Sequence, residues 1–228
     1  MTPETSIVLT VYNRALYLES AIQSVLAQTK QGFELIIWDD GSSDQSIDIA
    51  QHYATQDKRV RLIAAPHQGR VKALQSAMAK ATGTYVGLVD SDDLLAPTAL
   101  AATTALLNAS PDVGMVYTNY MVIDEKGKLI GPGQRCTIPY SPERLLVDFM
   151  TFHFRLMRHS IYQQVGGFDT AFPYAQDYDL CLKLSEVTQI QHLAQPLYFY
   201  RTHPKSVSQE QRIEQIDYAG KAIATTLP

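Results

Sequence analysis

The sequence predicts an α/β protein whose mostly parallel central sheet carries helices on both faces. Apolar, β-rich runs at 6–10, 33–38, 60–64 and 85–89 alternate with stretches whose apolar residues recur at steps of three and four. Such alternation predicts parallel strands joined by crossover helices. The strand runs are apolar at successive positions rather than alternate ones, as strands covered on both faces are. The loops after the first, second and fourth runs are polar or acidic. In sheets of this kind, ligands bind outside the carboxyl ends of the strands, so these loops are expected to share one rim.

The elements follow in order. The run 6–10 is the first strand, and Val11-Tyr12-Asn13-Arg14 turns out of it. Leu18, Ile22, Val25 and Leu26 mark one helical face, with Gly32 ending that element. The second strand, 33–38, runs into Asp39-Asp40-Gly41-Ser42-Ser43-Asp44, where Asp44 suits the cap of a helix carrying Ile47, Ala50 and Tyr53. The third strand is 60–64. Gln68-Gly69-Arg70 precedes a helix with Val71, Leu74, Met78 and Ala81 inward, stopped at Gly83. The strand 85–89 comes next. The second half is less regular. We expect a helix at Leu100, Thr104 and Leu107, then a strand over 113–124. A hairpin turn at Glu125-Lys126-Gly127-Lys128 and a loop at Pro132, Gly133 and Pro139 follow. Ser141-Pro142-Glu143 reads as a helix start, and 161–165 as a short helix closed by Gly166-Gly167. A helix over 177–184, a strand at 197–200 and loose helical spacing over 209–224 complete the chain.

Composition narrows the class. The chain has 228 residues, 46% of them hydrophobic and 18% charged, which suits one domain with a sizeable core. The net charge of −4 gives no broad attraction to nucleic acid, and none is expected as a partner. Cys136 and Cys181 have no metal-ligand spacing and are expected as buried free thiols. No basic segment precedes a long apolar one, and no apolar run approaches the roughly 20 residues of a membrane span. A cytoplasmic protein, or the soluble domain of a longer one, is expected, with room for peripheral membrane contact.

The chain is organised around 85–93, where a buried strand delivers Asp90, Asp92 and Asp93 in Asp90-Ser91-Asp92-Asp93. Acids so close repel one another, and a hard divalent cation relieves that repulsion through carboxylate oxygens. The alternative is an acidic loop that caps the next helix. Asp93 is expected as such a cap rather than as a ligand.

Six motifs in order resemble the family 2 glycosyltransferases. They are Thr10-Val11-Tyr12-Asn13-Arg14, Asp39-Asp40-Gly41-Ser42-Ser43-Asp44, Asp90-Ser91-Asp92-Asp93, Gly166-Gly167-Phe168-Asp169, Gln176-Asp177-Tyr178-Asp179 and Tyr200-Arg201-Thr202-His203-Pro204. The resemblance implies a GT-A fold over a single domain, 1–228. Its nucleotide-binding half covers about 1–110, and its less regular acceptor-side half about 111–228. It implies inverting transfer of a sugar from a nucleotide-sugar, a UDP-sugar in particular, with Mn²⁺ or Mg²⁺. The acceptor hydroxyl belongs to a glycan, a lipid-linked molecule or a protein, in polysaccharide or cell-surface glycan synthesis. By the same resemblance, Thr10, Tyr12, Asp40, Lys72 and Asp90 bind the nucleotide. Asp92, Asp90 and His203 hold the metal, and Asp177 is the catalytic base.

Each assignment has a plainer alternative. Asp177 could simply be a first-turn acid favoured by the helix dipole. Asp40 could be a turn acid, and Lys72, with Arg70, a solvated helix face. His203 could be a surface loop histidine. Asp169 reads as a turn residue, and Trp38 as core. Gln68, His153 and Arg158 are candidates for acceptor or sugar contacts. Gln176 stands where many relatives have Glu, and Leu74-Gln75 where Arg-Asn is frequent. The Gln-Xaa-Xaa-Arg-Trp motif of processive synthases is absent, since the only Trp is Trp38. Non-processive transfer is therefore expected. The competing class is a nucleotide-sugar-binding protein without catalysis.

Overall fold

A computed structural model describes residues 2–204 and 212–226. The first half is a run of strand–helix units: β1 (Thr5–Val11), α1 (Ala15–Leu26), β2 (Phe33–Asp39), α2 (Ser46–Gln56), β3 (Val60–Ala64), α3 (Arg70–Met78) and β4 (Tyr85–Leu88). β1 pairs in parallel with both β2 and β4, and β2 with β3. All seven residues of β2 are buried, as are six of the seven in β1. Continuous apolar runs therefore mark covered strands here.

The second half comprises β5 (Leu94–Leu95), α4 (Ala99–Ala109), β6 (Val113–Ile123), β7 (Leu129–Pro132), α5 (Pro142–Leu145) and β8 (Arg155–Arg158). After these come α6 (His159–Gln164), α7 (Gln176–Val187), β9 (Gln189–Arg201) and α8 (Arg212–Thr226). The strands join one sheet in the order β3-β2-β1-β4-β8-β6-β9-β5, with β7 beside β6. β6 and β9 pair in parallel along most of their length, while β8 runs antiparallel to β4 and β6. One apolar layer lies under α1 and α4, around Ile22, Val25, Leu100 and Leu107; the other lies under α3 and α7, around Leu74, Met78, Leu180 and Leu184.

Several expectations need correcting. α1 stops at Leu26, well before Gly32. Gly83 does not cap α3, which ends at Met78. Instead, a Cβ at Gly83 would lie 2.6 Å from the Ser6 backbone nitrogen, so the residue lets two chains pass closely. β9 begins at Gln189 rather than at 197, and β5 and β8 were not foreseen. Asp93 caps no helix: it is buried, and the next helix begins only at Ala99. Of the tail expected over 209–224, residues 209–211 lie outside the described residues.

Candidate functional site

The loops after β1 and β2 are stitched to each other. Asn13, at φ 52°, accepts through Oδ1 from the Ser43 and Asp44 amides. Its own amide donates to Ser42 Oγ at 3.0 Å. Asp44 accepts from the first amide of α1, Ala15, and from that of α2, Ser46. The two motifs are thus one structure, which satisfies helix-end donors that would otherwise be orphaned. Gly41 sits at φ 78° against the His67 backbone, a conformation that suits only glycine.

That structure presents Asp40. Its carboxylate is buried, accepts from the Gln68 and Gly69 amides at 3.0 Å each, and lies 2.9 Å from His67 Nδ1. The His67 ring stacks on Tyr12 with centroids 4.1 Å apart. A cavity of about 180 Å³ opens here, lined among others by Thr10, Tyr12, Asp40, His67, Arg70 and Asp92. Three of the expected nucleotide residues therefore share one hollow with Asp92. Lys72 is exposed on α3, outside the walls of this hollow. Arg70, one helix position pair earlier, faces the site instead.

The acidic loop is held from the far side of the sheet. The Tyr198 hydroxyl donates to Asp93 at 2.9 Å and accepts from the Asp90 amide at 3.1 Å. The Arg201 amide donates to the other Asp93 oxygen at 2.7 Å, and its Nε donates to the Asp92 carbonyl. Burial, and then the charges of Asp92 and Asp90, push the Asp93 carboxyl well above its ordinary value. With both oxygens engaged, Asp93 is a strut of the loop.

Asp90 and Asp92 remain open toward the cavities. Arg70 donates to Asp90 at 2.7 Å, and the His153 ring lies 3.7 Å from its other oxygen. Burial would raise the Asp90 carboxyl, but the Arg70 charge and its hydrogen bond outweigh it and leave it lowered. Burial, with the Arg155 charge adding to it, pulls His153 down to about 4, so its ring is neutral at pH 7. Asp92 meets His203 Nε2 at 2.9 Å and Arg14 Nε at 3.6 Å. His203 is buried, not a surface loop histidine.

Asp177 sits in the first turn of α7. Arg155, buried in β8, reaches one of its oxygens at 3.3 and 3.4 Å. A second cavity, of about 90 Å³, has Arg70, Asp90, Asp92, His153, Gln176 and Asp177 in its walls. With its amide oriented to satisfy both ends, Gln176 accepts from Arg70 Nε at 3.3 Å and donates to the Pro173 carbonyl at 3.1 Å. Beyond Asp177 opens a cleft of about 790 Å³ with aromatic walls, and Asp177 lines that as well.

Sequence reasoning missed Arg155. The signal was there: an arginine inside the apolar run Phe154-Arg155-Leu156-Met157 must be paired if it is buried. Of the lesser candidates, His153 is at the site. Arg158 is not: it binds the carbonyls of Leu107, Ser110 and Val113. Gln68 contributes its amide to Asp40, and Asp169 makes the turn expected of it, accepting from the Ala171 amide. Trp38 and Cys181 are buried, while Cys136 is partly exposed; both thiols are free. Among the described residues, no helix is long and apolar enough to cross a membrane.

The sequence model described as Glycosyl transferase family 2 matches residues 6–166. Escherichia coli chondroitin synthase is 34% identical over 206 residues, which is 90% of this chain and 30% of that protein. Pasteurella multocida hyaluronan synthase is 32% identical over 206 residues, 90% of this chain and 21% of its own length. The chain thus spans less than a third of these relatives. Among solved structures, S. aureus TarS 1-349 in complex with UDP-GlcNAc superposes with a TM-score of 0.81 at 18% identity, covering 99% of this chain and 66% of that one. The mannosyltransferase PcManGT from Pyrobaculum calidifontis, in complex with GDP-Man and Mn2+, gives 0.74 at 19% identity, over 99% and 64% of the two chains. At these identities the likeness is one of fold.

Proposed function

The chain belongs to glycosyl transferase family 2, and from that premise we propose that it is an enzyme that moves a sugar from a UDP-sugar to an acceptor hydroxyl with inversion. The observation that carries this is the position of Asp177. It lines both the small cavity that holds Asp90 and Asp92 and the large cleft beyond. A base placed there can meet a hydroxyl arriving from the cleft opposite a diphosphate held on the acidic side.

In this mechanism the acceptor oxygen bonds to the anomeric carbon as that carbon's bond to the diphosphate oxygen breaks. The hydroxyl proton passes to the Asp177 carboxylate, and the electron pair leaves with the nucleoside diphosphate. Attack opposite the leaving group inverts the carbon. Arg155 holds one oxygen of the Asp177 carboxylate and the Tyr178 amide donates to the other at 3.0 Å, so the group is fixed in orientation where the two cavities meet. Thr10, Tyr12 and Asp40 form the walls for the nucleoside, with Tyr12 and His67 offering ring faces. Arg70, tied to Asp90, is a cation for the diphosphate, a role better placed on it than on Lys72.

Carboxylate and imidazole donors of the kind a divalent ion takes gather at the acidic loop: Asp90 lies with Asp93 and His153, their ligand atoms within 4.8 Å of one another, and Asp92 touches His203. Carboxylates with imidazole suit Mn²⁺, and carboxylates alone suit Mg²⁺. Ligating carboxylates must be deprotonated. The raised, doubly engaged Asp93 is therefore a poor ligand, and we assign Asp90, Asp92 and His203. The ion would act as a Lewis acid on the departing diphosphate. The names of the relatives, chondroitin and hyaluronan synthases, support a role in polysaccharide or cell-surface glycan synthesis. The missing Gln-Xaa-Xaa-Arg-Trp motif supports non-processive transfer.

Titration calorimetry of UDP, with Mn²⁺ and then with chelator, tests the donor reading. Binding should weaken at least about tenfold in chelator. Equal affinity in both would contradict the metal assignment.

A further inference from the structure

The cleft beyond Asp177 carries information about the acceptor. Of the seven large aliphatic side chains exposed among the described residues, three stand around its mouth: Ile130 at 63%, Val147 at 78% and Ile216 at 66% exposure. They come from β7, the segment after α5, and α8, so no single element's periodicity explains them. Deeper in, Phe152 packs edge-on against Phe149 and Tyr200, forming a continuous aromatic wall. A contiguous apolar surface rimming a cleft marks a site for an apolar ligand. A free saccharide, hydroxylated throughout, would leave those three aliphatic chains wet.

Gln134, Thr202 and Gln215 add polar groups to the lining, and Arg135 is the cation in it. The Arg135 guanidinium lies over the Phe152 ring at 4.7 Å and the Phe149 ring at 5.2 Å, and donates to the Phe149 carbonyl at 3.0 Å. It is half-buried and has no carboxylate partner among the ion pairs of the described residues. An arginine set on ring faces beside apolar walls complements a ligand with an anion next to an apolar chain. Asp177 lies in the same walls.

We infer that the acceptor is an anionic amphiphile. Its hydroxyl-bearing group reaches Asp177, its apolar aglycone lies between Ile130, Val147 and Ile216, and a phosphate linking the two faces Arg135. This rests on the sugar-transfer reading for the identity of the hydroxyl-bearing group, but the cleft's preference can be measured without turnover.

The probes are n-decyl phosphate, below its critical micelle concentration, and ethyl phosphate, titrated by calorimetry into the full chain. UDP is titrated into the same preparations. The decyl ester should bind at least about tenfold more tightly than the ethyl ester, since each buried methylene adds affinity. The double variant Val147→Ser/Ile216→Ser should abolish that difference. Arg135→Met should weaken decyl phosphate at least about fivefold while leaving decanol binding unchanged. Melting temperatures of the variants should stay near wild type, because the substituted aliphatic chains are exposed. Equal affinity for the two esters overturns the proposal. So does a chain-length preference that the double variant leaves untouched, which would assign the rim to another polypeptide surface. UDP serves as the separate arm: wild type that binds decyl phosphate but not UDP would sink the donor reading while leaving the amphiphile site in place.

Discussion

The two sides of the site are built in opposite ways. The side proposed for the donor is small and polar, and it lies at the ends of strands that follow one another in sequence. Asp40 follows β2, and Asp90 and Asp92 follow β4, so topology alone brings them together. The side proposed for the acceptor is large and richer in apolar and aromatic surface, and it is assembled from β6, β7, β9, α7 and α8, which meet only through long-range pairing. Charge sits mainly on the first side and aromatic surface on the second, and Asp177 borders both. The difference separates two tasks. A shared donor chemistry can be served by fixed loops on a regular scaffold, while an acceptor is selected by surfaces recruited from the irregular remainder.

Substitutions that damage one side and spare the other test that division. The largest effect is expected from Asp92→Asn. It should slow transfer by roughly 10²–10³-fold, the range for losing one element of charge stabilisation, while decyl phosphate binding to the cleft stays intact. Steady-state donor turnover, read with calorimetry of the cleft probe, checks both halves. Next is Arg70→Met, which removes a cation from Asp90 and from the diphosphate. It should weaken UDP by about 1.5–3 kcal/mol, again without effect on the cleft. A UDP titration at one fixed Mn²⁺ concentration measures it; unchanged affinity would move the phosphate contact elsewhere.

Gly133→Ala reverses the direction. A Cβ there would lie 2.1 Å from the Tyr120 ring, which lines the cleft. Overpacking of this kind costs about 1–3 kcal/mol, so chemical denaturation should show that loss with cleft binding reduced and UDP affinity kept. The smallest effect is reserved for a group remote from both sides. Glu34 is buried at the start of β2 and accepts from Ser6, Thr82 and Arg61. Burial alone would raise its carboxyl, but those donors outweigh it and hold it below its ordinary value of 4.5. Its contribution is therefore present above that value and fades as pH falls through the lowered folded-state value. The wild type should lose more stability than Glu34→Gln as pH falls below about 4.5. Parallel melting curves of the two proteins across that range would remove this role from Glu34.

How far the sequence could be read follows the same line. β1 to β4 and the loops after them were legible because local period and order determine their place. The shared stitching of Asn13, Ser43 and Asp44 was not, since it joins two loops across the sheet. In the second half, β5 and β8 are too short to show a period, and the first part of β9 alternates between exposed and buried residues too weakly. Asp93 looked like a cap because Asp commonly caps helices; only the approach of Tyr198 and Arg201 shows it to be a buried strut. Arg155 was invisible as a partner of Asp177 because β8 was not foreseen, although its apolar neighbours implied burial. The cleft has no sequence signature, since Ile130, Val147 and Ile216 become neighbours only in the folded chain.

The central claim is that Asp177 is the base where the two sides meet. Asn at this position keeps the size and one acceptor oxygen for Arg155, so folding and both binding sites should persist. Transfer kinetics of Asp177→Asn, measured beside its UDP affinity and melting temperature, therefore isolate the proton transfer. Donor hydrolysis can stand in until an acceptor is identified. The account predicts a fall of about 10²–10⁴-fold in rate, with UDP affinity and melting temperature near wild type. Turnover per folded molecule equal to wild type, or a loss of UDP binding that accounts for the whole rate effect, would contradict it and leave Asp177 a structural acid at the start of α7.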